Sequence, residues 1–281
     1  MERIRPPAVA GSFYPSEAQE LSRLIEECLV QSPLGPRGAE SFSPSLIAGL
    51  VPHAGYIYSG PCAAHLFARL DASVQRIILL GVNHYGRGEK AALSPADLWQ
   101  TPLGAVRLDQ ELNDLLRSRI HFLKQDEVAH AQEHSIEVQL PFLQHVLNEF
   151  ILTPISLGHV SLEECAELGA ALAAACESAA RSGTRAVILA SSDLSHYLAP
   201  KKTVQLDEIA LKQVLALKPA DLVQVVEREN ISMCGVLPTA VLLFAGNALA
   251  VKRAHLLKHC HSGDAVPMRK VVGYASVALE L

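Results

Sequence analysis

The stretch Arg76–His84, RIILLGVNH, sets the fold. Ile77 to Leu80 is a short apolar run without polar alternation, as in a strand covered on both faces. Gly81 lets the backbone turn sharply after it, and Asn83 and His84 then place polar groups just past its end. The same order occurs twice more. Leu46–Val51 (LIAGLV) runs into PHAGY with His53, and Val187–Ala190 (VILA) runs into SSDLSH with His196. In an open α/β sheet, side chains just beyond the carboxyl ends of parallel strands converge on one crevice. Three imidazoles delivered there independently point to a metal centre, because neutral imidazole ligates iron, zinc, copper and nickel.

Outward from these runs, strands and helices alternate. Ser16 and Gln19 predict a capping box, opening a helix with apolar face Leu21, Leu24, Ile25, Cys28 and Leu29. Residues 32–45 read as an exposed loop, and Gly60–Leu70 as a helix of small residues. Asp109 caps a helix to about Ser118, and Ser135–Phe150 is amphipathic with Pro141 as a bend or break. Ile151–Leu157 is a strand, and Ser161 with Glu164 caps a helix that runs to about Arg181 and stops at Gly183. After the strand Ala186–Ala190 come helices at about Val204–Leu217, Ala220–Glu229 and Gly235–Ala245, with Gly246 as a stop. Lys252–His259 and Val271–Leu279 read as strands that form a hairpin or join the main sheet. The expectation is a single α/β domain over residues 1–281, with a mostly parallel central sheet flanked by helices.

Composition narrows the function classes. The 281 residues are 49% hydrophobic and 19% charged, enough for a sizeable core, and the formal net charge is -5. Lysine and arginine are scattered, so no basic footprint for nucleic acid is present. No apolar run reaches the ~18–20 residues of a membrane span, and the N-terminus MERIRPPAVAGSFYP lacks the apolar region of a secretory signal. The chain reads as soluble and cytoplasmic. Its six cysteines form no C-x-x-C pair, and Cys28, Cys165 and Cys176 read as buried small hydrophobes.

Around the three histidines, Tyr56 and Tyr58 are placed to line a pocket. Asp193 and His196, at i and i+3, share a face if they lie on a helical turn, and a carboxylate there would fix the imidazole tautomer. Such a pair serves as ligand support or general base; Ser191 and Ser192 cap the turn. Cys234 stands at a predicted helix start, where the helix N-terminus lowers a thiol pKa. HAQEH, residues 130–134, matches the inverted zinc-peptidase pattern H-x-x-E-H, which needs a helix. In EHSIE, Glu133, His134 and Glu137 read as lining the site or capping the helix. Trp99 reads as a surface or interface anchor, His65 as a packed histidine, and His255, His259 and His261 as strand alternation.

PHAGYIYSG, the strand followed by GVNH, EHSIEVQLPF, SSDLSHY and CGVLPT occur in this order, with AGSFYP at the start and GYASVAL at the end. By these motifs the chain resembles the Memo family, whose bacterial and archaeal members are labelled AmmeMemoRadiSam system protein B. The resemblance covers nearly the whole chain. It implies a fold like that of class III non-haem extradiol dioxygenases, which hold Fe(II) through two histidines and a glutamate. It implies that His53 and His84 are metal ligands, that Cys234 replaces the glutamate, and that His196 is the acid/base with Asp193 beside it. A thiolate makes such a site softer, so Cu or Zn competes with Fe(II). The resemblance further implies a radical-SAM protein and a small partner protein of the same system.

Two functions follow. One is an iron-dependent redox enzyme, an oxidoreductase acting on a small aromatic substrate in the crevice, with Tyr56, Glu133 and His134 around it. The other is a metal-binding or signalling scaffold without turnover. Zinc hydrolysis is a minor third reading.

Overall fold

The computed structural model describes residues 2–38 and 42–281. Part of the expected 32–45 loop, residues 39–41, lies outside the described residues. The strands are β1 (Ile4–Arg5), β2 (Leu46–Val51), β3 (Val74–Val82), β4 (Ala91–Leu93), β5 (Leu98–Thr101), β6 (Gly104–Leu108), β7 (Lys124–Gln125), β8 (Ile151–Leu157), β9 (Arg185–Ser191), β10 (His196–Leu198), β11 (Arg253–His261) and β12 (Val271–Glu280). They form one sheet in which nine run in the order β1-β5-β6-β8-β3-β9-β2-β12-β10, while β11 pairs with β12, and β4 with β8 and β7. Its centre is parallel: β8 pairs β3, β3 pairs β9, and β9 pairs β2. The antiparallel hairpin of β11 and β12 closes one side, with β12 also pairing β2. Both placements foreseen for the tail strands therefore hold at once.

The helices are α1 (Ala18–Glu26), α2 (Tyr56–Phe67), α3 (Gln110–Arg119), α4 (Leu140–Val146), α5 (Leu162–Arg181), α6 (Pro200–Leu215), α7 (Pro219–Arg228), α8 (Val236–Ala248) and the short α9 (Ser262–Ala265). Among the described residues, no helix is long and apolar enough to cross a membrane. The central strands feed two cores. Ile78 and Leu80 join Leu50, Ile188 and Ala190 beneath α5 to α8, while Ile77 and Leu79 join Val187 and Leu189 beneath α1, α2 and α4. Each buried Val, Leu or Ile among them contributes roughly 1.5–3 kcal/mol.

Several boundaries differ from the sequence expectation, each for a local reason. Asp109 and the Ser161–Glu164 capping box act as expected. The Ser16–Gln19 box does not form; α1 begins at Ala18 behind Glu17, which makes no side-chain cap. Pro141 does not bend a long helix. A 3-10 turn spans Glu137–Gln139, and Pro141 sits at the start of α4, where its missing N–H costs nothing. Gly246 does not stop α8, which continues to Ala248; a Cβ there would press on Leu279 at 3.1 Å, so the glycine serves close helix–sheet packing. Trp99 is not a surface anchor. It is fully buried in β5, donates from Nε1 to Ser94 Oγ at 3.0 Å, and carries the Arg5 guanidinium 4.1 Å over its ring.

Glu137 neither lines the crevice nor caps a helix. It is fully buried and accepts from Arg5 Nη1 at 2.6 Å, Tyr14 Oη at 2.6 Å, and the backbone N–H groups of Ala8 and Val9 at 2.8 and 3.0 Å. This one carboxylate fastens the N-terminal segment to the loop that precedes α4. Arg5 also donates to the carbonyls of His130 and Glu133. Removing one charge from a buried, hydrogen-bonded pair costs about 3–5 kcal/mol. Glu137→Gln should therefore lower the unfolding free energy by about that much in a urea titration; a loss below ~1 kcal/mol would contradict the role given to this carboxylate.

Candidate metal centre

Strands β3, β9 and β2 lie side by side and parallel. Two residues beyond their last positions stand His84, Asp193 and His53, in that order across the sheet. In the pairing register His53 and Asp193 each lie three residues beyond the level of Leu50, Ala190 and Leu80, and His84 lies four beyond it, so the three converge on one crevice within one residue of each other. Gly81 is required below them, because a Cβ there would lie 2.4 Å from Ile136 Cγ1 and 2.7 Å from Ser135 Oγ. Ser135 in turn accepts the N–H of Val82, so the chain bearing Glu133 and His134 docks directly on the end of β3.

Hydrogen bonding sets the tautomers. Ser191 Oγ donates its only proton to Ser135 O at 2.7 Å, so it must accept from His53 Nδ1 at 2.9 Å. His53 therefore carries its proton on Nδ1, and the Nε2 lone pair is left facing Cys234 Sγ at 3.2 Å. His84 Nδ1 is 2.9 Å from Glu133 Oε1, leaving its Nε2 free as well. His134 stacks on His84 with ring centroids 4.6 Å apart. One ring nitrogen from each of His53, His84 and His134 lies within 4.8 Å of the others. Burial pushes the pKa of His53 down to about 3 and that of His134 down to about 4, with neighbouring histidines adding to both. Both rings are thus neutral at physiological pH, as metal ligation requires.

Glu133 organises the cluster from beneath. Besides His84 Nδ1 it accepts the N–H groups of His84, His134 and Ser135. Burial alone would raise its pKa, but the His84 hydrogen bond and charge, with the Ser135 N–H and His134, hold it down to about 2. An ionised carboxylate behind an imidazole fixes the ring and raises its basicity.

A cavity of about 550 Å³ opens over these groups. His53, His84, His134, Asp193, His196 and Cys234 all line it, with Phe13, Tyr58, Tyr197 and Tyr274 as aromatic walls. Tyr56 does not line it: its hydroxyl donates to Val138 O at 2.6 Å and its ring packs on Phe142. Asp193 and His196 do not share a helical turn. Asp193 lies in the loop after β9 and accepts the His53 N–H at 2.8 Å, whereas His196 begins β10 and donates from Nδ1 to Ser232 O at 2.8 Å. The Ser232 carbonyl therefore sets the His196 tautomer, with Nε2 as the acceptor. Ser191 and Ser192 are likewise not turn caps: Ser191 supports His53, and Ser192 accepts the Gly235 N–H.

This loop is tightly held. Leu194 N–H donates to Gly273 O, Gly273 N–H to Ser195 O, and Ser195 N–H to the buried Asp207, which also meets His259 Nε2 at 3.0 Å. Gly273 must lack a Cβ, because one would collide with the Asp207 carboxylate. Tyr197, 70% exposed at the cavity rim, has a positive φ of 58°, a strained conformation for a bulky side chain.

Cys234 precedes Gly235, the N-cap of α8. Its thiol pKa is not lowered: burial, then the Asp193 charge, push it up. Desolvation outweighs the helix terminus and the Asp193 N–H that approaches Sγ at 3.3 Å. Burial raises the Asp193 carboxyl too. No helix covers residues 130–134, so HAQEH does not form the peptidase motif. His130 is buried apart from the cluster, bonded to Ala92 O and edge-on to Trp99. His134 enters the histidine cluster although no strand run precedes it; the available signal was its position next to Glu133.

The family model described as Memo-like protein matches residues 5–278. Similar curated proteins include a MEMO1 family protein of Ignicoccus hospitalis, 40% identical over 286 residues that cover 99% of each chain. A MEMO1 family protein of Methanopyrus kandleri is 39% identical, covering 97% of this chain and 98% of its own. One from Methanocaldococcus jannaschii is 38% identical across the full length of both.

Removal of a carboxylate behind a ligand histidine typically costs 10–100-fold in metal affinity. Glu133→Gln should weaken metal binding by about that factor in competition with a chelator, without unfolding the protein. Unchanged affinity would mean that His84 does not ligate.

Proposed function

This chain belongs to the Memo family, and from that premise we propose that its crevice holds one transition-metal ion, iron foremost, and acts on a small aromatic substrate beside it. The observation that carries the proposal is the convergence of the His53, His84 and His134 ring nitrogens within 4.8 Å. The donor chemistry fits such an ion. Two of the three rings are held neutral by burial, and His53 and His84 have their outer nitrogens committed to Ser191 and Glu133. A set of imidazoles also accepts copper or zinc, so ligand type alone does not select the metal.

His53 and His84 are the first two ligands in this proposal, and Cys234 is the third. The 3.2 Å from Sγ to His53 Nε2 matches the separation of neighbouring donors on one ion with bonds of ~2.0–2.3 Å. His134 stands where it can complete the set or meet the substrate. Bound iron would supply a Lewis-acidic, redox-active centre. The chain's own groups supply the rest. His196 Nε2 accepts a proton from a phenolic hydroxyl, because its Nδ1–H is committed to Ser232 O. Asp193, raised by burial, can hold a proton beside it. Phe13 packs on His134 with ring centroids 4.6 Å apart, and Tyr58 lines the same cavity. A scaffold without turnover would need the ligands but gains nothing from Asp193 and His196 on the same wall. The radical-SAM protein and small partner suggested by the resemblance belong to this proposal as proteins acting on the same compound before or after this chain.

Anaerobically loaded protein should hold about one iron per chain, and His53→Ala or His84→Ala should lose most of it, since too few donors remain. Retention of iron by both variants would remove these residues as ligands.

The pH dependence separates the third-ligand assignments. His53 and His134 titrate far below neutrality, so they contribute no proton release between pH 6.5 and 8. The Cys234 thiol is protonated throughout this range and must lose its proton to ligate. Affinity should therefore rise about tenfold per pH unit in the parent, and this increment should vanish in Cys234→Ser. Equal slopes in the two proteins would assign the third position to His134.

A further inference from the structure

We propose that the compound bound in this crevice is an anionic aromatic, its ring at the histidine floor and its acid group on a short side chain reaching Lys270. The inference deepens the functional reading above and rests on the same cavity.

Among the described residues, Lys270 is the one lysine or arginine lining the cavity. It has no ion-pair or hydrogen-bond partner among the described residues. An unpaired cation at the mouth of a cavity is a ready counter-charge for a ligand anion. Tyr58, Tyr197, Tyr274 and Met268 line the same cavity, giving it aromatic and thioether surface. Such a surface favours a ring over a sugar or a free phosphate. The carboxylates are turned to the protein: Asp193 Oδ1 accepts the His53 N–H, and Glu133 is sequestered beneath His84.

The topology sets the spacing. β12 runs antiparallel to β2, with Val277 opposite Leu50. Lys270, seven residues before Val277, stands further out than His53, three residues past Leu50. At ~3.3 Å per residue the difference is on the order of 10 Å. The lysine stem can reach part of the way back. A ring seated on the floor therefore places a directly attached carboxylate short of the ammonium, and one on a two-carbon chain within reach.

The test compares 3-(3,4-dihydroxyphenyl)propionate with 4-ethylcatechol, which lacks the acid. Binding is measured by calorimetry at low salt, on metal-free and on anaerobic iron-loaded full-length protein. The acid should bind the parent about five- to tenfold more tightly, and the preference should shrink as salt screens it. In Lys270→Met the two compounds should bind within twofold of each other, and in Lys270→Glu the order should reverse. Lys270 is exposed and unpaired, so these variants should fold as the parent does. Equal binding of both compounds by the parent, no binding of either, or a preference that survives in Lys270→Met would overturn the proposal. Iron content, measured on the same samples, reports separately on the metal assignment. A chain that takes no iron yet prefers the acid through Lys270 would contradict the metal centre and keep the anion site.

Discussion

Burial of both faces of β2, β9 and β3 is the constraint on which the rest depends. With helices on each side, a polar side chain within these strands would lose its hydration, at a cost of a few kcal/mol if unpaired. The polar groups instead begin where the strands end. His53, Asp193 and His84 each stand two residues past the end of their strand, so three adjacent strands deliver an imidazole or carboxylate to the same crevice. The site is a consequence of where the sheet stops.

Position alone would leave the rings free to turn. The histidines are oriented by groups that are themselves fully engaged: Ser191, whose proton is spent on Ser135 O, and Glu133, which gathers one ring nitrogen and three backbone N–H groups. The same burial that keeps the rings neutral leaves the Cys234 thiol protonated. A cation would have to displace that proton, so the softest donor of the site is engaged only when charge arrives. Glu137 performs a different task a few residues away. It ties the N-terminal segment beneath the loop that carries His134 and thereby rigidifies one wall of the cavity.

The fold was legible in the sequence because unbroken apolar runs, glycines after them and capping residues are local signals. Ile151–Leu157 and the Ser161–Glu164 helix match residue for residue at their starts. What was missed depends on distant contacts. The two-residue strands β1 and β7 acquire their form only from partners elsewhere in the chain, and Trp99 is buried in a core built from residues far apart in sequence, with Arg5 over its ring. At the site, the strand-end histidines could be read from their runs. The partner of each ring could not. Asp193 was expected beside His196, yet its carboxylate meets the His53 backbone, because the loop is extended and is bolted to Gly273 and Asp207. Tyr56 and Tyr58 look equivalent in sequence, but helix α2 turns one into the core and the other to the cavity.

The central claim is that imidazoles of this crevice hold a transition metal. X-ray absorption at the iron edge, on anaerobically loaded protein, reads the donor atoms directly. The account predicts imidazole nitrogen with the outer-ring scattering of at least two histidines, and a sulfur scatterer that disappears in Cys234→Ser. A shell of oxygen alone, without imidazole scattering, would contradict it.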